Sequence, residues 1–441
     1  MPKFKIITLG CKVNQTESES IAQELIAADW YAAQDREAAD VCIVNTCAVT
    51  QKASMQSRQA LRQAVRANPN ARILATGCYA ETAPHEIKAI KGLTDIIGQC
   101  EKHAIGSMVR MRPHRPAEVV VSGCGDIGKK REFEASPVAV TAPRTRPFLK
   151  IQDGCNAFCT YCIVPYARGR SRSMPPEKVL HSLRQLAEAG YHEVVLTGIH
   201  LGTYGRDLIP AAGLAELLGR IRYSGPIDRV RLSSIEPLEL TAEIIKMIAE
   251  CDRFCRHFHI PLQSGDDGIL KKMGRPYSRQ NFHDLILRVH KAMPEAAIGV
   301  DTLIGFPGES ENAFENTYEL IADLPVSYLH VFPFSARPGT AAAKFAHKVQ
   351  PEIIKARCER MRKLGHRKRR IFYQRFIGKK LPVLIEAKRD STVGLLKGIS
   401  SNYLPVLIDA GDKLKNKIVD VKIERLEGNR LIGNYRGTKI R

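Results

Sequence analysis

The chain has 441 residues, 44% of them hydrophobic and 26% charged, with a formal net charge of +21. Those proportions belong to a globular protein of several domains, and no run of about 18 apolar residues offers a membrane span. The start, MPKFKIITLG, lacks the apolar core and cleavage site of a secretory signal, so a cytoplasmic protein is expected.

Charge is unevenly spread. Lys355 to Arg441 holds 24 Lys and Arg against 8 Asp and Glu, whereas the first 354 residues hold 43 against 38. A near-neutral body with a basic final fifth points to a polyanionic partner such as nucleic acid. Twelve cysteines are too few for a disulfide scaffold. In a cytosolic chain their clustering points to metal or catalysis.

Residues 1–110 alternate strand and helix. FKIITLG reads as a buried strand, and Thr16 with Glu19 offers a capping box for a helix to about Trp30. VCIVNTC is the next strand, a helix runs from about Gln51 to the stop at Asn68-Pro69, and RILATGC is a third strand. This is an open α/β pattern with a parallel sheet. Residues 111–145, rich in Pro, Arg and Gly, read as a linker.

From Pro147 six strands are expected, FLKIQDG, EVVLTGI, RVRLSSI, HFHIPLQ, IGVDTLIGF and YLHVFPF, separated by helical stretches. Six β/α units predict an incomplete (β/α)8-type barrel with its chemistry at the C-terminal strand ends. A basic helix follows over about Pro351–Phe372. Then KLPVLIEA, VGLLKGI, YLPVLIDA, KIVDVKIERL and RLIGNYRG predict a small antiparallel β-barrel of a kind that binds nucleic acid. The expected domains are 1–140, 141–374 and 375–441.

Two cysteine sets carry the chemistry. GCNAFCTYC places Cys155, Cys159 and Cys162 at C-x3-C-x2-C, just past the first barrel strand. Thiolates suit zinc or iron–sulfur clusters. Structural zinc wants four closed ligands, and no fourth Cys or His lies close in sequence. A [4Fe–4S] cluster on three thiolates keeps one iron open. Cys11, Cys47 and Cys78 are far apart in sequence, but each ends or follows a predicted parallel strand, so their loops converge on one sheet edge. From the residues alone they are equally three buried small side chains. Cys42, Cys100, Cys124 and Cys358 are isolated, and Cys251 and Cys255, near His257 and His259, are expected to pack in the core.

The C-x3-C-x2-C loop resembles the radical S-adenosylmethionine (SAM) superfamily. The resemblance implies that SAM fills the open iron and that Tyr161 faces the adenine. It implies SAM contacts at Gly198 in LTGIHLGTYG and at Ser234 and Glu236 in RLSSIEP; IGFPGE, with Gly305 and Glu309, resembles a further family element. LGCKVNQTES, VNTCAVT and GCYAE resemble the N-terminal domain of the methylthiotransferases, over nearly the whole chain. That resemblance implies a second [4Fe–4S] cluster on Cys11, Cys47 and Cys78, and a C-terminal TRAM domain that binds RNA. It implies insertion of a methylthio group at C2 of a modified adenine beside the anticodon of tRNA. An electron donor such as flavodoxin or ferredoxin is then required, and the sulfur donor is not indicated.

LGCKVNQTES and GIHLGTYG resemble the threonylcarbamoyladenosine branch more than the isopentenyladenosine branch. Arg168, Arg170 and Arg172, just past the cluster loop, are expected to meet the threonyl carboxylate, since Arg suits bidentate carboxylate contacts. In the dense run Arg360–Arg370, Arg367, Lys368, Arg369 and Arg370 are expected on the tRNA backbone. A non-catalytic iron–sulfur RNA-binding protein is the alternative of a different class.

Overall fold

The structure, a computed structural model, describes residues 1–34, 37–111, 118–125, 127–135, 138, 144–435 and 437. Its N-terminal part is a sheet of six parallel strands. In spatial order they are Tyr31–Ala32, Lys3–Thr8, Val41–Thr46, Arg72–Gly77, Asp95–Ile97 and Val120–Ser122. The strands Val41–Thr46 and Arg72–Gly77 are buried at every residue, as parallel strands covered on both faces require. The strand order reverses between Lys3–Thr8 and Val41–Thr46, and a crevice opens at the C-terminal ends there.

Two local expectations change. The first helix begins at Lys12, not at Thr16, and runs Lys12–Ile26 with Cys11 as its N-cap. Gly10, at φ +95°, turns the chain straight from strand into helix, and Thr16 donates to the Lys12 carbonyl at 3.1 Å inside the first turn. Within 111–145, Val120–Ser122 is an edge strand of the sheet and not linker, while 112–117, 126, 136–137 and 139–143 lie outside the described residues. The second helix, Gln51–Ala67, is capped by Thr50, whose side chain accepts from Ala53 N, and it stops at Asn68 as expected.

Six parallel strands form the central part: Phe148–Lys150, Glu193–Thr197, Arg229–Leu232, His257–Gln263, Ala297–Ile304 and Tyr328–Pro333. The first three hydrogen-bond as one sheet and the last three as another. The bridge between Val230 and Phe254 joins them, and a single hydrophobic core runs beneath both. The outer helices are amphipathic: Pro176–Glu188, for instance, buries Val179, Leu180, Leu183 and Leu186 against the strands. The result is an incomplete barrel whose loops at the C-terminal strand ends face the N-terminal sheet.

The long helix Pro351–Gln374 packs on the last barrel strand and leads into five strands that close into a barrel. Four of the five pairings are antiparallel. The fifth, Pro405–Ile408 with Arg430–Asn434, is parallel, so closure departs from a wholly antiparallel barrel.

Candidate active site at the facing cysteine loops

The three N-terminal cysteines sit where the open sheet makes its crevice. Cys11 caps the first helix, Cys47 follows Val41–Thr46, and Cys78 opens the short helix Cys78–Thr82. Two glycines allow their loops to touch. A Cβ on Gly10 would lie 2.8 Å from Cys47 Sγ, and one on Gly77 would lie 2.4 Å from the Thr46 carbonyl. Asn14 donates to the carbonyls of Leu9 (2.7 Å) and Thr46 (3.0 Å), tying the first loop to the second. Cys47 and Cys78 are buried while Cys11 is exposed, so the trio opens outward on one side. Burial raises the Cys78 thiol to about 11, although Arg168 opposes this.

Cys155, Cys159 and Cys162 lie on the loop after the first barrel strand. Two of their sulfurs meet a nitrogen that is itself held by an acid. Arg275 Nη1 donates to Cys159 Sγ at 3.3 Å while its Nη2 bonds Glu236. His200 Nδ1 lies 3.3 Å from Cys155 Sγ, and its Nε2 lies 2.9 Å from Glu239, out of line for a hydrogen bond. Burial would lower the His200 pKa, but Cys155 and Glu239 prevail and hold it near 10. Burial pushes Cys162 up to about 12.

All twelve cysteines are free thiols. Among the described residues, the only group of three or more potential ligands within 4.8 Å of one another is His259, Asp301 and His330. The sulfurs of each cysteine trio are therefore more widely spread. Four thiolates on one zinc at about 2.3 Å crowd together; a multi-iron cage needs the wider spread seen here. The donor sets fit such clusters, each with three soft thiols.

A buried polar knot joins the two cysteine loops. Arg168, 1% exposed, donates to Glu17 at 2.9 Å and to Asp153 at 3.0 Å, and it also holds Asn14. Lys102 and Lys150 bond Glu17 as well. Burial alone would raise the Asp153 carboxyl, but Arg168 and Lys150 bring it to about 2. Glu17 is held well below the usual carboxylate range for the same reason. Asn14 and Glu17 belong to the helix after Cys11, and Asp153 lies two residues before Cys155. The knot thus fixes one loop against the other.

This corrects two sequence expectations. Arg168 cannot meet a substrate carboxylate, because it is enclosed and its partners are internal. Arg172, 4% exposed, is likewise spent on the carbonyls of Arg168 and Arg170. Arg170 is exposed, with its guanidinium 5.1 Å from the centre of the Phe158 ring. In the basic helix Lys368 is also corrected. Its ammonium caps the end of Glu311–Asp323, bonding the carbonyls of Ala322 and of Leu324 (2.6 Å). Arg367, Arg369 and Arg370 have no hydrogen-bond or ion-pair partner among the described residues.

The remaining expected contacts ring the barrel mouth. Tyr161 packs against the apolar cluster of Ile269, Met273, Phe306, Ala313 and Ala342, with Arg275 and Glu236 in electrostatic reach. A Cβ on Gly198 would lie 2.8 Å from Gln152 Oε1, which accepts from His200 N. Ser234 Oγ lies 2.6 Å from His259 Nδ1. Glu236 is taken by Arg275. Glu309 folds back on Gly305 N (3.0 Å) and pairs with Arg357 of the long helix at 2.9 Å.

Sequence reasoning missed several residues here. His200 lay within LTGIHLGTYG, and Asn14 and Glu17 within LGCKVNQTES, though no role was read for them; Arg275, Glu239 and Asp153 carried no local signal. Gln263 adopts φ +68° at an irregularity in its strand, a conformation uncommon for a non-glycine residue. Cys255 is buried and His257 bonds Tyr328 at 2.7 Å, so neither belongs to the one ligand-like group. His259, placed beside those cysteines in sequence, does belong to it.

Comparison with known proteins bears on this geometry. Residues 149–321 match the radical SAM superfamily, and residues 3–99 match the uncharacterized protein family UPF0004. A threonylcarbamoyladenosine tRNA methylthiotransferase, MtaB, from Bacillus subtilis is 39% identical over 94% of this chain and 92% of its own. The protein of that name from Aquifex aeolicus is 38% identical over 96% of this chain and all of its own. The chain belongs to the methylthiotransferase family of radical SAM enzymes. A tRNA-2-methylthio-N(6)-dimethylallyladenosine synthase from Clostridium botulinum is 33% identical over 98% of this chain and 96% of its own. Among solved structures, the radical SAM methyltransferase TsrM from Kitasatospora setae superposes with a TM-score of 0.56 at 14% identity, over 75% of this chain and 73% of its own. That match is one of fold. As a family member, the chain is an enzyme that transfers a sulfur-containing group.

Proposed function

We propose that this methylthiotransferase acts on tRNA, adding a methylthio group to C2 of N6-threonylcarbamoyladenosine at position 37. The observation that carries this reading is the pair of three-cysteine loops facing each other across the Arg168 knot, in a chain 39% identical to an enzyme so named. Cys11, Cys47 and Cys78 would hold one [4Fe–4S] cluster, and Cys155, Cys159 and Cys162 another with SAM. When bound, these groups supply the electron, the radical and the methyl group that modification of an unactivated C–H position demands.

The chain's own part is to hold and orient. Arg275 and His200 direct N–H groups at the second trio and temper its negative charge. Tyr161, Gly198, Ser234 and Glu236 line the mouth where SAM would lie. Arg367, Arg369, Arg370 and the exposed Arg170 supply positive charge for the tRNA backbone, together with the closed barrel after residue 374. The domains are assigned as 1–140, 141–374 and 375–441. The reading also requires a cytoplasmic location and an electron donor such as flavodoxin or ferredoxin; no helix among the described residues is long and apolar enough to cross a membrane.

The test is nucleoside mass spectrometry of total tRNA with and without the gene. The expected result is loss of the 2-methylthio-threonylcarbamoyl nucleoside and accumulation of its precursor. Loss of the methylthio-isopentenyl nucleoside instead would move the substrate to the other branch. No change in either, with no release of 5′-deoxyadenosine under reduction, would overturn the enzyme reading for tRNA.

A further inference from the structure

The barrel mouth contains a charged group that neither cysteine trio uses. Asp301 and His330 are opposite each other on the last two barrel strands. Asp301 Oδ1 lies 2.7 Å from His259 Nε2 and 3.1 Å from His330 Nδ1. His259 is completed on its other nitrogen by Ser234, so both its nitrogens are occupied. His330 is not: its side chain is 49% exposed and only Nδ1 has a partner among the described residues.

Two further groups face this place. Phe332, two residues along the same strand, shares the face of His330 and is 43% exposed, unusual for a phenylalanine inside a barrel mouth. Its ring centre is 6.3 Å from that of His330. Lys12, the residue directly after Cys11, is half-buried, and its ammonium has no hydrogen bond or ion pair among the described residues. It lies in electrostatic reach of Asp301 and His257, and burial with the nearby Arg231 and Arg146 disfavours its charge while Asp301 favours it. Arg369 approaches from the long helix, in reach of Tyr328.

A half-buried ammonium without a partner is costly unless an anion joins it. Asp301 does not serve, being taken up by two imidazoles. Of the formal charges here, the cations Lys12 and Arg369 outnumber the one carboxylate, Asp301. An exposed aromatic ring beside an ammonium and an imidazole suits a ligand with a flat base at one end and a carboxylate at the other.

We propose that Lys12 and His330 bind the carboxylate of the substrate's threonylcarbamoyl arm, with Phe332 against the base. This rests on the function proposed above and names the side chains that select the carboxylated adenine. Asp301 is a positioning residue: it accepts from His330 Nδ1 and turns Nε2 outward, where a carboxylate is met by the imidazolium form, in which both nitrogens donate. Lys12 sits one bond from a cysteine of the first trio, so the arm would anchor the adenine between the two cysteine loops.

The test uses reconstituted holoenzyme and anticodon stem-loops carrying threonylcarbamoyladenosine, the same nucleoside with its carboxylate as a carboxamide, or isopentenyladenosine. The wild type is expected to prefer acid over amide in kcat/KM by about tenfold or more, because a site built for a charged group is left unpaired by its neutral analogue. Lys12→Gln and His330→Phe should each bring that ratio toward one; Lys12→Arg should keep it. Iron content and cluster absorbance report on each variant's integrity. If Lys12→Gln loses its cluster, the wild-type ratio and His330→Phe decide.

Equal turnover of acid and amide by the wild type would overturn the proposal while leaving the enzyme reading intact. A ratio unchanged in both variants would do the same. So would a tightly bound non-cluster metal ion that His330→Phe removes, since the imidazoles would then be its ligands. Turnover of the isopentenyl stem-loop alone would overturn the parent reading and this one with it.

Discussion

Arg168 shows what one buried guanidinium does for a two-site enzyme. It is enclosed, yet its partners Glu17 and Asp153 come from different domains. Its removal leaves Glu17 and Asp153 with only Lys102 and Lys150 to offset their buried charge, and breaking a buried ionic group costs about 3–5 kcal/mol. Arg168→Met should therefore lower stability by roughly that amount in a denaturant melt, whereas Arg170→Met, at the surface, should change it by less than about 0.5 kcal/mol. The acid side gives a second readout. The Asp153 carboxyl is depressed from 3.8 to about 2, so its contribution is complete above about pH 4 and is lost as pH falls through about 2. Without Arg168, burial would dominate and raise both carboxyls, and the acid unfolding midpoint should move up. The single tryptophan, Trp30, is buried and reports it by fluorescence. An unchanged midpoint would mean that Lys102 and Lys150 suffice.

The long helix Pro351–Gln374 divides its charges along its length. In its first half Arg357 pairs with Glu309 and Glu311, and Arg360 with Glu311 and Glu315. In its second half Lys368 bonds carbonyls, while Arg367 and Arg370 stay exposed and unpaired among the described residues. Arg367→Ala with Arg370→Ala should weaken tRNA binding and cut the slope of log K against log salt by about 2, one per lost phosphate contact. Lys368→Ala should instead cost stability, about 1 kcal/mol for the lost cap, with the salt slope unchanged. A slope that falls equally for Lys368→Ala would place all three on RNA. The element itself was legible from its basic run, as were the six barrel strands, because their apolar periodicity is local. What each arginine does was not. Arg168 and Arg170 are two residues apart in a run of similar arginines, and only the approach of Glu17, 151 residues away in sequence, separates their roles. For Cys11, Cys47 and Cys78 parallel topology put the three strand ends at one sheet edge, which brings them together, but it left them equally readable as core side chains until the resemblance of their motifs was added. Lys12 lay inside LGCKVNQTES and His330 inside YLHVFPF, but neither motif showed that the two side chains meet, since they are 318 positions apart.

The molecule as a whole is joined by ionic and carbonyl contacts across its domains. Arg231, buried within the central barrel, bonds Glu193 at 2.8 Å and the carbonyls of Ser400 and Ser401 in the terminal barrel. Arg229 reaches the Pro382 carbonyl at 2.8 Å, and Tyr403 stacks on His257 with ring centres 4.3 Å apart. Arg231→Leu would strand the fully buried Glu193 and free the loop at Ser400, so it should lower the thermal midpoint of the whole chain and expose the terminal barrel to limited proteolysis. A lowered midpoint with protection intact would confine the effect to the central barrel. The alternating pattern along the chain announced three units, but not the contacts that make them one body, because those pair residues more than a hundred positions apart.

The Arg168 knot has a consequence for anyone recombining these enzymes. Exchanging the first domain alone between relatives transplants Asn14 and Glu17 without Asp153 and Arg168. Such a hybrid keeps every cysteine, yet takes the two halves of the lock between the loops from different chains. Domain exchange in this architecture has to be cut around the lock, carrying residues 14, 17, 153 and 168 as a single inherited unit.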